Sequence, residues 1–282
     1  MSRAKDRLVP ALLGIGSVAA AIALVEALVR IGAINRFIVP LPSEIFLAFP
    51  RIIREGDVLI PGCAFDWWSA ADRLSTMSAA GALECARHSR FVLTMFEAFA
   101  ASLLVAVFGI AGGALLYRFR LLRQATETWV AAIAAAPLVL IYPLYLVIFG
   151  RNTVTIVMMG FTAGVAPTVL KTLEGFAGTR RVLIDVGRSF NLTASQQFWK
   201  ILFPAALPTI FVGLRLGLIF ALINIVGIEL LINFGGLGQI INELAERYDL
   251  PGTYAAIFFV VLVSVCVFVL LERLERWLRP ID

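Results

Sequence analysis

The chain has one histidine, His88, and only three cysteines, Cys63, Cys85 and Cys266, among its 282 residues. One imidazole gives no paired-His metal site, and the cysteines stand too far apart for a CxxC-type zinc or iron–sulfur site. No G-x-x-x-x-G-K-[ST] occurs, so the chain does not bind ATP in the P-loop manner. HExxH and GxSxG are missing too, which argues against a metallopeptidase or a serine hydrolase. The sequence therefore predicts neither catalysis nor a cofactor bound by this chain. Charge is also scarce: 15% of residues are charged against 60% hydrophobic, with a mean hydropathy of +0.92. Soluble domains are roughly a quarter charged and less than half apolar. This much apolar surface has to be solvated by lipid, which excludes a disordered, collagenous or disulfide-scaffold class. The net charge of +5 would suggest nucleic acid in a soluble protein. In a membrane protein it reflects Lys and Arg on the cytoplasmic side, and no nucleic-acid partner is expected.

Six apolar stretches are long enough to cross a hydrocarbon core that takes ~20 helical residues. They run over 8–30, 91–117, 126–149, 153–173, 208–232 and 254–272. Each must be helical, because a lone strand would leave its backbone polar groups unpaired in lipid. The fold expected is all-α and polytopic, with few charges inside the spans: Glu26, Glu97, Arg215 and Glu229 stand out. The first run follows Arg3, Lys5 and Arg7 but is too long for a signal-peptide core and lacks a cleavage site, so it reads as retained. Placing the N-terminus inside collects Arg118, Arg120, Arg123, Lys171, Arg180, Arg181, Arg188, Lys200, Arg273, Arg276 and Arg279 on the cytoplasmic side. Both termini are then cytoplasmic. The chain divides into a tail with the first span (1–36), an external loop (37–90), a core (91–275) with a cytoplasmic loop at 174–207, and a short cytoplasmic tail (276–282).

The cytoplasmic loop carries the most information. Leu183, Val186 and Phe190 fall at helical spacing on one apolar face. Asn191 can end that helix in the left-handed conformation, and Thr193 or Ser195 can cap the next. Phe198, Trp199, Ile201 and Leu202 make a second short apolar stripe before Pro204 and Pro208. Two short helices joined by a turn suit docking into a groove of a partner protein.

This loop resembles the EAA motif of ABC importer permeases, approximately E-A-A-x-x-x-G followed by I-x-L-P. Asp185 stands for the Glu, Gly187 for the second Ala, Asn191 for the Gly, and Ile201-Leu202-Phe203-Pro204 for I-x-L-P. The chain is similar elsewhere to the nitrate/sulfonate/taurine branch of that family. The segments concerned are Leu41-Pro42-Ser43 with Pro40, Ala136-Pro137, Pro143-Leu144, Phe149-Gly150, Pro204 through Pro208, Leu214-Arg215, and Glu229 with Gly236-Leu237-Gly238. The likeness covers roughly 37–60 and 95–275. It implies the type I ABC importer permease (MetI-like) architecture in a bacterial inner membrane, working with a second copy or a homologous subunit. It also implies a periplasmic substrate-binding protein and a cytoplasmic ABC ATPase dimer, with ATP and Mg held in that partner. The ATPase would dock on Asp185, Val186, Gly187, Arg188, Ser189, Phe190, Asn191, Phe198 and Pro204. Asp185 reaches less far than the usual Glu. Residues 61–90 are longer than the family's pattern.

Three polar residues in the fifth span are candidates for the pathway or gate. Arg215 either pairs near the cytoplasmic end or attracts an anion, Asn224 either glues helices or faces the path, and Glu229 either holds the Gly-rich turn or contacts substrate. Gly109/Gly113, Gly160/Gly164 and Gly213/Gly217 repeat at four-residue spacing, which suits close helix packing within the chain, the last pair also suiting a subunit interface. Cys63 and Cys85, in the external loop, are candidates for a disulfide in an oxidising periplasm, with Cys266 buried in the last span. Against the bond, Trp67-Trp68 suggests that the segment lies in the membrane interface. The rival function is an ion-coupled secondary transporter, which would show intramembrane coupling residues and broken helices rather than a cytoplasmic docking device.

Overall fold

The computed structural model describes residues 2–55 and 89–278, so Cys63, Trp67, Trp68, Cys85 and His88 lie outside the described residues. All regular elements among the described residues are helical. In chain order they are α1 (Ser2–Arg30), α2 (Pro42–Glu55), α3 (Arg90–Arg118), α4 (Arg120–Ala135), α5 (Tyr142–Phe149) and α6 (Thr153–Ala177). There follow α7 (Arg181–Ser189), α8 (Ala194–Gln197), α9 (Phe203–Ile232), α10 (Gly236–Glu246) and α11 (Leu250–Leu278). A 3-10 turn (Leu138–Ile141) joins α4 to α5, and a π turn (Phe198–Leu202) joins α8 to α9.

Four helical segments among the described residues are long and apolar enough to cross a membrane: Arg90–Arg118, Thr153–Ala177, Ala194–Ile232 and Leu250–Arg273. These match four of the six expected spans. The stretch 126–149, expected as one span, is instead a pair of helices meeting at 91°, and becomes a fifth span only if the pair is counted as one. Pro137 is the cause. A proline pushes the residue before it out of the helical region and donates no N–H to the ladder. Ala136 accordingly is extended (φ −73°, ψ 143°), and the chain restarts as a 3-10 turn before α5. The external loop expected over 37–90 contains α2, and the connection between the expected spans 208–232 and 254–272 contains α10.

The chain divides into two compact units, Met1–Ala86 with Ile240–Val260, and Arg87–Gln239 with Val261–Asp282. In the first, Glu26 near the end of α1 accepts hydrogen bonds from Arg30, from the Ser43 backbone N–H (3.2 Å) and from the Ser43 hydroxyl (3.0 Å). That carboxylate therefore holds the start of α2 to α1. Arg51 pairs with Asp249, the Tyr254 hydroxyl donates to the Ile38 carbonyl at 3.1 Å, and the Phe49 ring meets Phe259 edge-on.

The second unit is built on α3, α6 and α9, with α6 packed against both of the others. Its buried core includes Ala98, Ala101, Ile156, Met159, Leu222 and Ile225. Small residues allow the approach. A Cβ on Gly164 would lie 2.6 Å from the Gly217 carbonyl oxygen, and one on Gly217 would lie 2.7 Å from that of Gly164. The Thr168 hydroxyl sits in this contact, 2.8 Å from the Gly164 carbonyl and 3.2 Å from that of Gly213. Both glycines of the fifth-span pair are thus used inside the chain against α6, the close packing expected of them, rather than at the subunit interface they also suited. Cys266 is another correction. It is exposed, on a face of α11 shared with the exposed Val265 and Val269, rather than buried.

Candidate functional site

The loop after α6 folds as a hairpin of two helices. α7 ends in a Schellman motif: the Leu192 N–H donates to the Gly187 carbonyl (3.1 Å), and the Asn191 N–H donates to that of Arg188 (2.9 Å). Asn191 supplies the left-handed residue, with φ 51°, as its side chain allows. Thr193 then starts α8 with a capping box. The Gln196 N–H donates to the Thr193 hydroxyl (3.3 Å), and the Thr193 N–H donates to the Gln196 side chain (3.0 Å).

α8 is not a separate short helix, as its apolar stripe suggested. It runs through the π turn into α9, making one continuous helical segment, Ala194–Ile232. The Phe203 N–H reaches back five residues to the Phe198 carbonyl. A π turn takes up one extra residue and re-spaces the ladder, so Pro204, which has no N–H to give, enters at the first turn of α9 without ending the helix.

The hairpin is braced from inside. The Gln197 amide donates to the Ile184 carbonyl at 3.1 Å, tying α8 to α7. Gly187 is buried against Ile201, whose Cδ1 would be 2.5 Å from a Cβ there. Ile184 and Phe198 pack on a buried cluster of Phe176, Leu202, Ala206 and Ile210. A row of rings leads inward, with centroids 5.5 Å apart from Phe198 to Phe176 and 5.6 Å apart from Phe176 to Tyr117 on α3. Tyr117 and Phe176 were not among the sequence candidates. Tyr117 closes a span that read simply as apolar, and Phe176 falls at the start of the expected cytoplasmic loop.

Among the described residues, nothing covers the outer face of α7. Val182, Leu183, Val186 and Phe190 are exposed, Phe190 at 74% of its surface. Asp185 and Arg188 lie beside each other on this surface at 3.4 Å. The Ser189 hydroxyl donates to the Asp185 carbonyl.

The three pathway candidates on α9 are dispersed along the helix. Arg215 pairs with Glu275 of α11, and its guanidinium lies 5.2 Å from the Phe268 ring centre. Asn224 donates to the Phe220 carbonyl of its own helix at 2.9 Å, and its side-chain oxygen is buried without a hydrogen bond among the described residues. Glu229 is fully buried and held at both oxygens. One accepts from the Thr94 hydroxyl (2.6 Å), the other from the Gly238 N–H (2.8 Å). The Thr94 hydroxyl in turn accepts from the Leu237 N–H at 2.9 Å. This approach needs glycine: Gly236, at φ 76°, and Gly238 lie so near Glu229 and the α9 backbone that neither has room for a Cβ. Thr94 was missed by sequence reasoning, as was the role of Glu97, one turn along α3, whose carboxyl is fully buried beside that of Glu229.

Residues 105–280 match the family described as binding-protein-dependent transport system inner membrane component. The chain is 25% identical over 192 residues to a taurine transport system permease protein of Escherichia coli, covering 68% of this chain and 67% of that protein. It is 28% identical over 176 residues to a nitrate import permease protein of Synechocystis, covering 62% of each chain. It is 30% identical over 159 residues to a riboflavin transport system permease protein of Chloroflexus aurantiacus, covering 56% of this chain and 59% of that one. The chain spans about two thirds of the length of the curated relatives it matches first. Among solved structures, an inward-facing MetNI methionine ABC transporter chain superposes with a TM-score of 0.59 at 20% identity, over 71% of this chain and 98% of that one. The all-α fold is thus that of the MetI-type permeases. With its family matched across more than half its length, the chain belongs to the binding-protein-dependent transport system inner membrane components, as a non-catalytic permease subunit of an ABC transporter.

Proposed function

We propose that this chain forms, with a second copy or a homologous subunit, the pathway of an ATP-driven importer for a small anion such as a sulfonate or nitrate. A periplasmic binding protein delivers the solute, and a cytoplasmic ATPase dimer supplies the energy. Both termini then lie in the cytoplasm, and α1 makes a further crossing. Taurine and nitrate in the names of relatives support the anion. Riboflavin in another name marks how far substrates diverge at this identity.

The observation that carries the reading is α7: a short helix apolar on its outer face and braced on its inner face. Docking an ATPase groove over Val182, Val186 and Phe190 would remove that apolar surface from water. Displacement of α7 would pass through Gln197 and Ile201 to Phe198, and along the rings to Phe176 and Tyr117. The spans would then move as rigid bodies. Asp185, Arg188 and Ser189 lie at the rim of this contact, where they set orientation more than affinity. Replacing Phe190 with Asp tests the reading. The side chain is exposed, so the permease should insert at its normal level, while the ATPase should no longer co-purify and uptake should cease. Retained ATPase association with normal uptake would refute the docking assignment.

A further inference from the structure

α2 belongs to a loop expected to be external, yet it packs beside a helix built to span. Its Phe49 ring meets Phe259, which stands about 7.5 Å along α11 from Tyr254, where the apolar run of that helix begins. The Tyr254 hydroxyl holds the Ile38 carbonyl, in the turn just before α2. Arg51 reaches the other way, to Asp249 at the start of α11. All of these contacts lie within the first compact unit. α2 is thus set alongside the first turns of a segment long and apolar enough to cross a membrane, Leu250–Arg273, its guanidinium at the rim and its ring farther in. Beside Phe259, Ile257 and Phe258 are exposed, so α2 continues the apolar outer side of that helix.

At 100° per residue, α2 sorts into three arcs. Ile45, Ala48 and Ile52 form the inner one, with Ala48 and Ile52 buried. Phe46, Phe49 and Ile53 fall within about 60° of one another on the second, and Phe46 is exposed at 67%. Ser43, Glu44, Leu47 and Arg51 make up the third, which is polar except for Leu47, exposed at 80%. Every charged side chain from Glu26 to Ile53 is paired: Arg30 with Glu26, Arg36 with Glu44, and Arg51 with Asp249. The second arc therefore offers a partner carbon alone, with no free charge to choose a protein surface. We propose that α2 is an interfacial helix, lying along the bilayer boundary beside the start of α11 with Phe46, Phe49 and Ile53 dipped into the acyl chains of one leaflet. Amphipathic helices bind lipid surfaces in this way, the apolar arc among the chains and the polar arc toward water. Arg51 snorkels to the rim, where Asp249 meets it. Pro50 gives no N–H to the Phe46 carbonyl one turn back, which is tolerated at a wet boundary and not in the hydrocarbon core. The inference needs α11 to span and is independent of what the permease carries.

The test uses the full-length permease with its partner subunits in lipid bilayers. With p-benzoylphenylalanine in place of Phe46, irradiation should give lipid adducts at least fivefold more often than with the same group in place of Leu47. Leu47 is the more exposed of the two but lies in the polar arc, so exposure alone predicts the opposite order. Phe46→Trp and Leu47→Trp make the same comparison by fluorescence, after subtraction of the wild-type emission, and keep the test open if the larger group prevents assembly. Lipids brominated on the acyl chain should quench the tryptophan at 46 at least twofold more than that at 47, and aqueous iodide should do the reverse. These ratios should be the same in neutral and in anionic lipid, because contact is made by carbon and not by charge. Equal lipid adducts at the two positions, iodide quenching as strong at 46 as at 47, or a preference lost in neutral lipid would overturn the proposal. A protein adduct at 46, to a second copy or to a binding protein, would also overturn it, assigning the arc to that partner instead.

Discussion

Gly187 sits where two effects of opposite sign can be weighed. Replacing it with Ala adds a methyl group 2.5 Å from Ile201 Cδ1, far inside van der Waals contact, while the Gln197 atoms stay at ordinary distances of 3.5 and 3.6 Å. Overpacking of this kind costs about 1–3 kcal/mol. The helical backbone gains from alanine, by at most ~1 kcal/mol, and less near the end of a nine-residue helix. The net expectation is a destabilisation of the hairpin by about 1–2 kcal/mol, or roughly tenfold more opening. Backbone hydrogen exchange across Arg181–Ser189 measures this directly, and ATPase retention on purification should fall with it. Ile201→Val removes the clashing Cδ1 and alone should cost about 0.5–1.5 kcal/mol. The two changes together should cost less than their sum, with a coupling of at least ~1 kcal/mol, because the valine makes room for the methyl. Additive effects, or exchange unchanged in Gly187→Ala, would show that α7 does not rest on Ile201.

Thr94→Val keeps the shape of the side chain but strands the Leu237 N–H and removes one donor from Glu229; a loss of about 2–4 kcal/mol is expected, read as a lower thermal midpoint, with Thr94→Ser largely restoring it. Arg215→Met removes the guanidinium that pairs with the buried Glu275 and should destabilise by about 3–5 kcal/mol, whereas Arg215→Met with Glu275→Gln should recover part of that in the same melt. Reporter fusions at residue 282 and within residues 61–90 should report opposite sides of the membrane, and the same side for both would overturn the orientation.

Much of the architecture was legible because long apolar runs in lipid have only one way to satisfy their backbone. The spans around 91–117, 153–173, 208–232 and 254–272 all appear as helices, and the left-handed turn at Asn191 and the cap at Thr193 follow from local side-chain chemistry alone. What hydropathy could not show was the geometry between runs. Ala136-Pro137 lies within an apolar stretch, and a window average is blind to the loss of one N–H. Nor could it show that the helix continues past Pro204, because the π turn before that proline absorbs the misfit. The partners of Glu229 were hidden differently. Thr94 lies 135 residues away in sequence, and an isolated threonine in a hydrophobic helix looks like any helix–helix filler. The docking candidates could be named because their pattern is contained within one short loop, while Tyr117 and Phe176 matter only through whom they touch.

The single wide turn at Phe198–Leu202 also fixes an angle. An α-helix advances 100° per residue, so the extra residue held there turns everything before it by about that amount relative to the spans after it. The azimuth at which α7 faces a partner is therefore written as a residue count, independent of the chemistry of its surface. A chain that lost one residue in this turn could keep every docking side chain and still aim them at a different quadrant. The docking proposed for the hairpin then has two separable coordinates, its surface and the phase at which the span delivers it.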